Sequence, residues 1–137
     1  MTRPRPETGT AVLELVLLVP VFMMFVFVAV GLGRLGLARG NIDAAARDAA
    51  RAGSLARSAG DAEAAAIAAT NDSLASHDLT CADLRVDVTH RFEAGGFVRV
   101  EVTCRVTMTD LVGMWTPGAT TMKAQAVSVV DTYRRAR

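Results

Sequence analysis

The chain is poor in the residues from which small chemical sites are usually built. It has two Cys and two His in 137 residues. That is too few for a disulfide-framed scaffold or a multi-ligand zinc module. Its charges nearly cancel, with 15 basic and 14 acidic side chains and a net charge of +1. So small an excess excludes a nucleic-acid binder that works through bulk positive charge. No glycine-rich phosphate loop follows a strand pattern, and no paired-carboxylate signature is present. Ser76, His77 and Asp78 are consecutive, whereas the members of a catalytic triad converge from separate segments. His77 and Cys81 are four apart but fall in a loop with no second ligand pair to complete a metal site. The expectation is therefore no catalytic residue, no metal, no cofactor and no enzymatic activity. Charge is also missing locally: Leu15 to Gly33 is a run of 19 residues without one.

That run is apolar all round, LVLLVPVFMMFVFVAVGLG, where a core helix of a soluble domain would show a polar face. A bilayer core of about 30 Å needs roughly 20 helical residues, and residues 10–33 supply them as one membrane span. A secretory signal peptide is the competing reading. Its apolar region is shorter, about 7–15 residues, and ends at a small-residue cleavage site. Here RLGLARGNIDAAARDAARAG continues the helical pattern instead. Arg3 and Arg5 precede the span and favour a cytoplasmic N-terminus, but Arg34 and Arg39 follow it closely, so charge alone leaves the orientation open.

Glu14 lies at the membrane boundary among Ala11, Val12, Leu13, Leu15 and Val16. An ionised carboxylate in a span is costly, on the order of 2.5–3.5 kcal/mol at the centre and less at the edge. It either snorkels to the interface or finds a cation. The spacing offers a cation. Cutting after Gly9 creates an amine at Thr10, one helical turn from Glu14, and the two charges can neutralise each other within or between subunits.

A short basic leader ending in Gly9, then TAVLE closing on Glu14, then a long apolar helix resembles a type IV prepilin signal. Within that superfamily the chain resembles the TadE-like pseudopilins of tight-adherence (Flp) pili. The resemblance rests on TAVLELVLLVPVFMMFVFVAVGLGRLGLAR, the continuation NIDAAARDAARAGS and a strand-rich C-terminal part. It implies a leader over residues 1–9, a membrane and assembly helix over 10–33, and an extracytoplasmic domain over 34–137. It also implies cleavage between Gly9 and Thr10 by a prepilin peptidase, residence in the inner membrane, and transfer to an extracellular pilus after assembly. The implied partners are the peptidase, other pilins or pseudopilins and the membrane-embedded assembly platform, with no nucleic acid. The implied role is that of a minor pilin acting in pilus assembly or initiation. The alternative is an unprocessed single-span envelope protein whose outer domain binds a partner.

Pro20 interrupts the apolar helix, removes one backbone donor and frees the carbonyl of Val16. The result is either a harmless kink or, on the pilin resemblance, a weak point that eases repacking from lipid into a filament. Gly36 and Gly40 either permit close helix approach or mark a bend. Small and apolar residues at Leu35, Ala38, Ile42, Ala45, Ala49, Ala52 and Leu55 or Ala56 follow helical spacing. One long helix over about 10–57 is expected, with Asp43 and Arg47 spaced for an ion pair. A second helix is expected from Gly60 to Ser76, capped by Asp61.

The period then changes to two. Leu84, Val86, Val88, His90 and Phe92 alternate with polar residues, as do Val98, Val100, Val102, Cys104, Val106 and Met108. This predicts antiparallel strands joined by a glycine-containing hairpin, with even positions pairing with even ones. A third strand is expected over 119–130. The fold class is α+β: a long helix and a second helix packed on a three-stranded antiparallel sheet. Trp115, in the loop before that strand, is either a partner anchor or a cover for one edge of a thin core. Cys81 and Cys104 are a candidate disulfide, favoured by an oxidising compartment. A register that opposes Val86 to Cys104 would leave Cys81 roughly 17 Å away along the strand, so two buried thiols are the other reading.

Overall fold

The computed structural model describes residues 8–91, 93, 95–107 and 118–130. It has two helices, α1 (Thr8–Leu55) and α2 (Ala59–Ser76), and three strands, β1 (Asp83–His90), β2 (Phe97–Thr107) and β3 (Ala119–Val129). The chain divides into two compact units between Gly33 and Arg34. The first is the apolar part of α1. It is the one helix among the described residues that is long and apolar enough to cross a membrane, and none of that window is buried. Pro20 lies inside α1 without ending it. The second unit is the α+β layout: the rest of α1, α2 and an antiparallel sheet of order β1-β2-β3.

In the second unit α1 buries Ala38, Ile42, Ala45, Ala46, Ala49 and Ala50. The expected stripe thus holds to Ala49 and then turns. Leu55 is 58% exposed, while Gly53 and Ser54 are buried. The cause is close approach on two sides. A Cβ on Gly53 would sit 3.1 Å from Val98 Cγ1, on β2, and 3.4 Å from the Ala62 carbonyl oxygen, on α2. Small residues let α1 lie that near both neighbours, so the buried face broadens beyond a single stripe. Two polar contacts lock it in place: Ser73 donates to Asp48 Oδ2 at 3.1 Å, and Ser128 donates to Ser54 Oγ at 3.0 Å. No ion pair within 4 Å joins Asp43 to Arg47, against the expectation from their spacing. Both are exposed, and water competes for such a contact.

The cap of α2 is Ser58, not Asp61. Ser58 has extended dihedrals (φ −139, ψ 165), and its hydroxyl accepts from the Asp61 N–H at 3.2 Å. Asp61 lies in the first turn, where a carboxylate complements the helix dipole. The other end closes as a Schellman motif. Leu79 N–H reaches Leu74 O and Asp78 N–H reaches Ala75 O, with Asp78 left-handed at φ 51. Leu74 is buried in the core, and Leu79 packs half-buried against the same core.

β2 is central, and its inward side chains Val98, Val100, Val102, Cys104 and Val106 are fully buried. Burying each such valine contributes on the order of 1.5 kcal/mol or more. Even positions pair with even ones, as alternation requires: Leu84↔Cys104, Val86↔Val102, Val88↔Val100 and His90↔Val98. The slide differs by two residues from the register that would oppose Val86 to Cys104. His90 shares the parity of the buried face yet is exposed at the strand end. The β1–β2 turn is closed by Gly96 N–H to Glu93 O at 2.7 Å. Gly95 takes φ 80 at the turn position that favours glycine. Trp115, Phe92 and Met108 lie outside the described residues.

Candidate processing and assembly site

Gly9 and Thr10 lie in the first turn of α1, which begins at Thr8. The first four N–H groups of a helix have no intrahelical acceptor. The Gly9–Thr10 bond therefore sits where the helix opens at least cost. Thr10 and Glu14 are four residues apart along α1, about one helical turn of backbone. Glu14 is exposed, and so are its apolar neighbours Val12, Leu13, Leu15 and Val16 at 62–66%. Among the described residues Glu14 has no ion-pair partner. A carboxylate ringed by exposed aliphatic side chains is stable in water. In a hydrocarbon setting it needs a cation or a route to the interface. Pro20 lies six residues further on, within an uninterrupted stretch of exposed large side chains from Val12 to Val28.

Cys81 and Cys104 form a disulfide with Cα atoms 5.4 Å apart, closing a sequence separation of 23. The register explains why it is reachable. Leu84, not Val86, opposes Cys104, and Ala82 N–H donates to Arg105 O at 2.8 Å, which brings the loop back along β2. Cys81 is thereby committed to sulfur, so its spacing from His77 carries no metal chemistry. His77 is the C-cap of α2. Ser76 donates to Ser73 O at 2.7 Å, and Asp78 supplies the left-handed residue. The consecutive Ser, His and Asp thus close a helix.

The sequence patterns mark neither Gly53 nor the backbone role of Asp78. The signal for Gly53 was a glycine within an alanine stripe. Nothing local distinguished Asp78, whose role emerges from the two hydrogen bonds around it. No curated protein and no solved structure gives a match to the chain. Residues 9–51, which carry Gly9, Glu14 and Pro20, match the family model described as TadE-like protein, so along its long helix the chain is similar to the family that its sequence resembles.

Proposed function

We propose that the chain is a minor pilin or pseudopilin of a tight-adherence pilus, trimmed by a prepilin peptidase between Gly9 and Thr10 and acting in pilus assembly or initiation. The observation that carries the reading is the coincidence, within the segment similar to TadE-like proteins, of a glycine, a glutamate five residues later and the start of an apolar helix fit to cross a membrane. A membrane-anchored, pilus-associated protein fits that combination. Trimming would leave the Thr10 amine one turn from Glu14, and the pair would set how deep one subunit sits against its neighbour. Pro20 would weaken the helix where it must repack from lipid into a filament. The apolar helix would meet other pilins and the assembly platform. The α+β unit would lie outside the cytoplasm, with its disulfide formed there. The role is structural rather than catalytic.

The test is the intact mass of the protein taken from native membranes. Loss of residues 1–9 is expected in cells with an active prepilin peptidase, and the full mass is expected when that peptidase is deleted. A retained leader in both strains overturns the reading in favour of an unprocessed single-span envelope protein with an outer partner-binding domain.

A further inference from the structure

The two edges of the sheet differ. β1 closes one side with 8 residues that carry Asp83, Arg85 and Asp87. β3 closes the other with 11 residues, no proline and Lys123 as its one charge. It pairs with β2 from Ala119 to Val129 without a bulge. Edge strands are ordinarily kept from pairing further by shortness, charge, proline or a bulge. β1 is the shorter and the more charged of the two, whereas β3 has a single lysine. Among the described residues no strand lies beside the free edge of β3.

The hydrogen-bond phase of that edge follows from the hairpin end of the sheet. Val130 N–H donates to Gly96 O at 2.9 Å, one rung beyond the Phe97↔Val129 pair. Bonded rungs alternate along an antiparallel ladder. The even-numbered residues of β3 therefore aim their backbone N–H and C=O groups at β2. Thr121, Lys123, Gln125, Val127 and Val129 aim theirs away from it. The same odd-numbered residues put their side chains on the outward face, where Val127 is 53% and Val129 is 70% exposed. On the inward side an open groove of about 320 Å³ runs beside Ile42 and Met122, with Arg39 and Asp43 on its rim. Its floor is apolar, because Ile42 and Met122 belong to the core. The edge thus offers backbone partners, two exposed valines outside and an apolar floor inside.

We propose that β3 takes a fourth, antiparallel strand from a protein partner, an extended segment with a carboxylate opposite Lys123, β-branched residues opposite Val127 and Val129, and an apolar side chain opposite Met122. Charge favours such a partner over a second copy. Pairing β3 with its own copy along its whole length sets Lys123 opposite Gln125 and diagonal to the second copy's Lys123, within reach of so long a side chain. A carboxylate opposite Lys123 instead extends the ion pair that Lys123 already makes with Glu101 at 3.4 Å. β-Branched residues beside Val127 and Val129 make the cross-strand pairs that stabilise sheets. An added strand keeps the alternation of faces, so every second side chain points inward, and the one opposite Met122 enters the groove. The main-chain bonds supply affinity and the alternate side chains supply selection. The inference concerns residues 34–137 alone and is independent of leader removal.

The experiment uses the full chain in detergent micelles and a capped synthetic peptide, Val-Ala-Val-Ala-Thr-Ala-Glu-Leu-Thr, with a second peptide in which Lys replaces Glu. Binding is read by fluorescence anisotropy of the dye-labelled peptides and by residue-resolved amide hydrogen exchange. The Glu peptide should bind about five-fold more tightly than the Lys peptide, the upper size of an exposed ion-pair contribution. Lys123→Glu should reverse that order. Saturating Glu peptide should slow exchange at Thr121, Lys123, Gln125 and Val127, while Met122, Ala124 and Ala126, already bonded to β2, change little. A non-reducing mass measurement verifies that the variant keeps the disulfide. Absence of binding by the Glu peptide overturns the proposal. So does equal binding of the two peptides, and so does an unchanged order in a disulfide-intact Lys123→Glu variant. Protection of the odd-numbered residues that grows with protein concentration, in the absence of peptide, also overturns it and makes a second copy the occupant.

Discussion

Asp78 holds a left-handed backbone at φ 51, a conformation that costs an ordinary L-residue roughly 1–2 kcal/mol and glycine almost nothing. Asp bears the cost because the Leu79-to-Leu74 hydrogen bond, and the return of Leu79 to the core, require a reversal at this residue. Asp78→Gly should therefore stabilise the second unit by about 0.5–1 kcal/mol, relief of the strain being offset by the greater freedom of the unfolded glycine. A raised denaturant midpoint with unchanged slope checks it. Glu14 invites the opposite kind of test. Glu14→Leu makes the apolar helix more apolar, so membrane insertion should survive or improve. What would be lost is the partner for a Thr10 amine. An unpaired ammonium in a low-dielectric helix bundle is costly, and its attraction to a carboxylate there far exceeds that in water. A Glu14→Leu strain should keep normal membrane levels of the protein and lose surface pili. Normal piliation at normal protein level would return Glu14 to a simple snorkelling role. The two residues also differ in how visible they are. Glu14 is conspicuous because a charge interrupts an apolar context, whereas Asp78 lies among polar loop residues and is singled out only by a hydrogen-bond pattern in three dimensions.

α1, α2 and the strands follow the periodicities of the sequence, and the points of difference share a cause. Alternation fixes which face of a strand is buried but not its slide, because a shift of two residues preserves every face. The register with Leu84 opposite Cys104 is set instead by the hairpin at Gly95 and Gly96 and by the bond between Cys81 and Cys104. Helical spacing likewise marks an inward stripe on α1, but not how broad it becomes when α2 and β2 both press on it. Gly53 lies at that crossing. A side chain larger than hydrogen meets Val98 at 3.1 Å and the Ala62 carbonyl at 3.4 Å. Only the valine can yield. Gly53→Val should destabilise the unit by about 1–3 kcal/mol through overpacking. Gly60, in the first turn of α2, has open space around it, and Gly60→Ala should leave stability unchanged or raise it by up to about 1 kcal/mol. Thermal unfolding of the full chain in detergent separates the two. Equal melting temperatures for both variants would mean that α1 does not approach β2 as closely as Gly53 indicates.

The apolar helix and the disulfide make one joint demand on where the chain resides. Closing a loop with a sequence separation of 23 stabilises a folded unit by about 3 kcal/mol on the chain-entropy account. Typical domains have only about 5–15 kcal/mol in total. A unit with an alanine-lined core and a three-stranded sheet depends heavily on such a bond. Thiol pairs stay reduced in most bacterial cytoplasms and oxidise beyond the membrane. The proposed topology, with the short basic leader inside and residues 34–137 outside, supplies the oxidising side. In intact cells a membrane-permeant maleimide should therefore fail to label Cys81 and Cys104 until a reductant is added. A form lacking the apolar run and retained in the cytoplasm should label at once and unfold at lower denaturant. Cys81→Ser should weaken the anchored protein by about as much as reduction does, because each removes the same cross-link. Labelling of the anchored protein without reductant, in cells where a control exported disulfide protein stays blocked, would place the second unit on the cytoplasmic side and reverse the orientation.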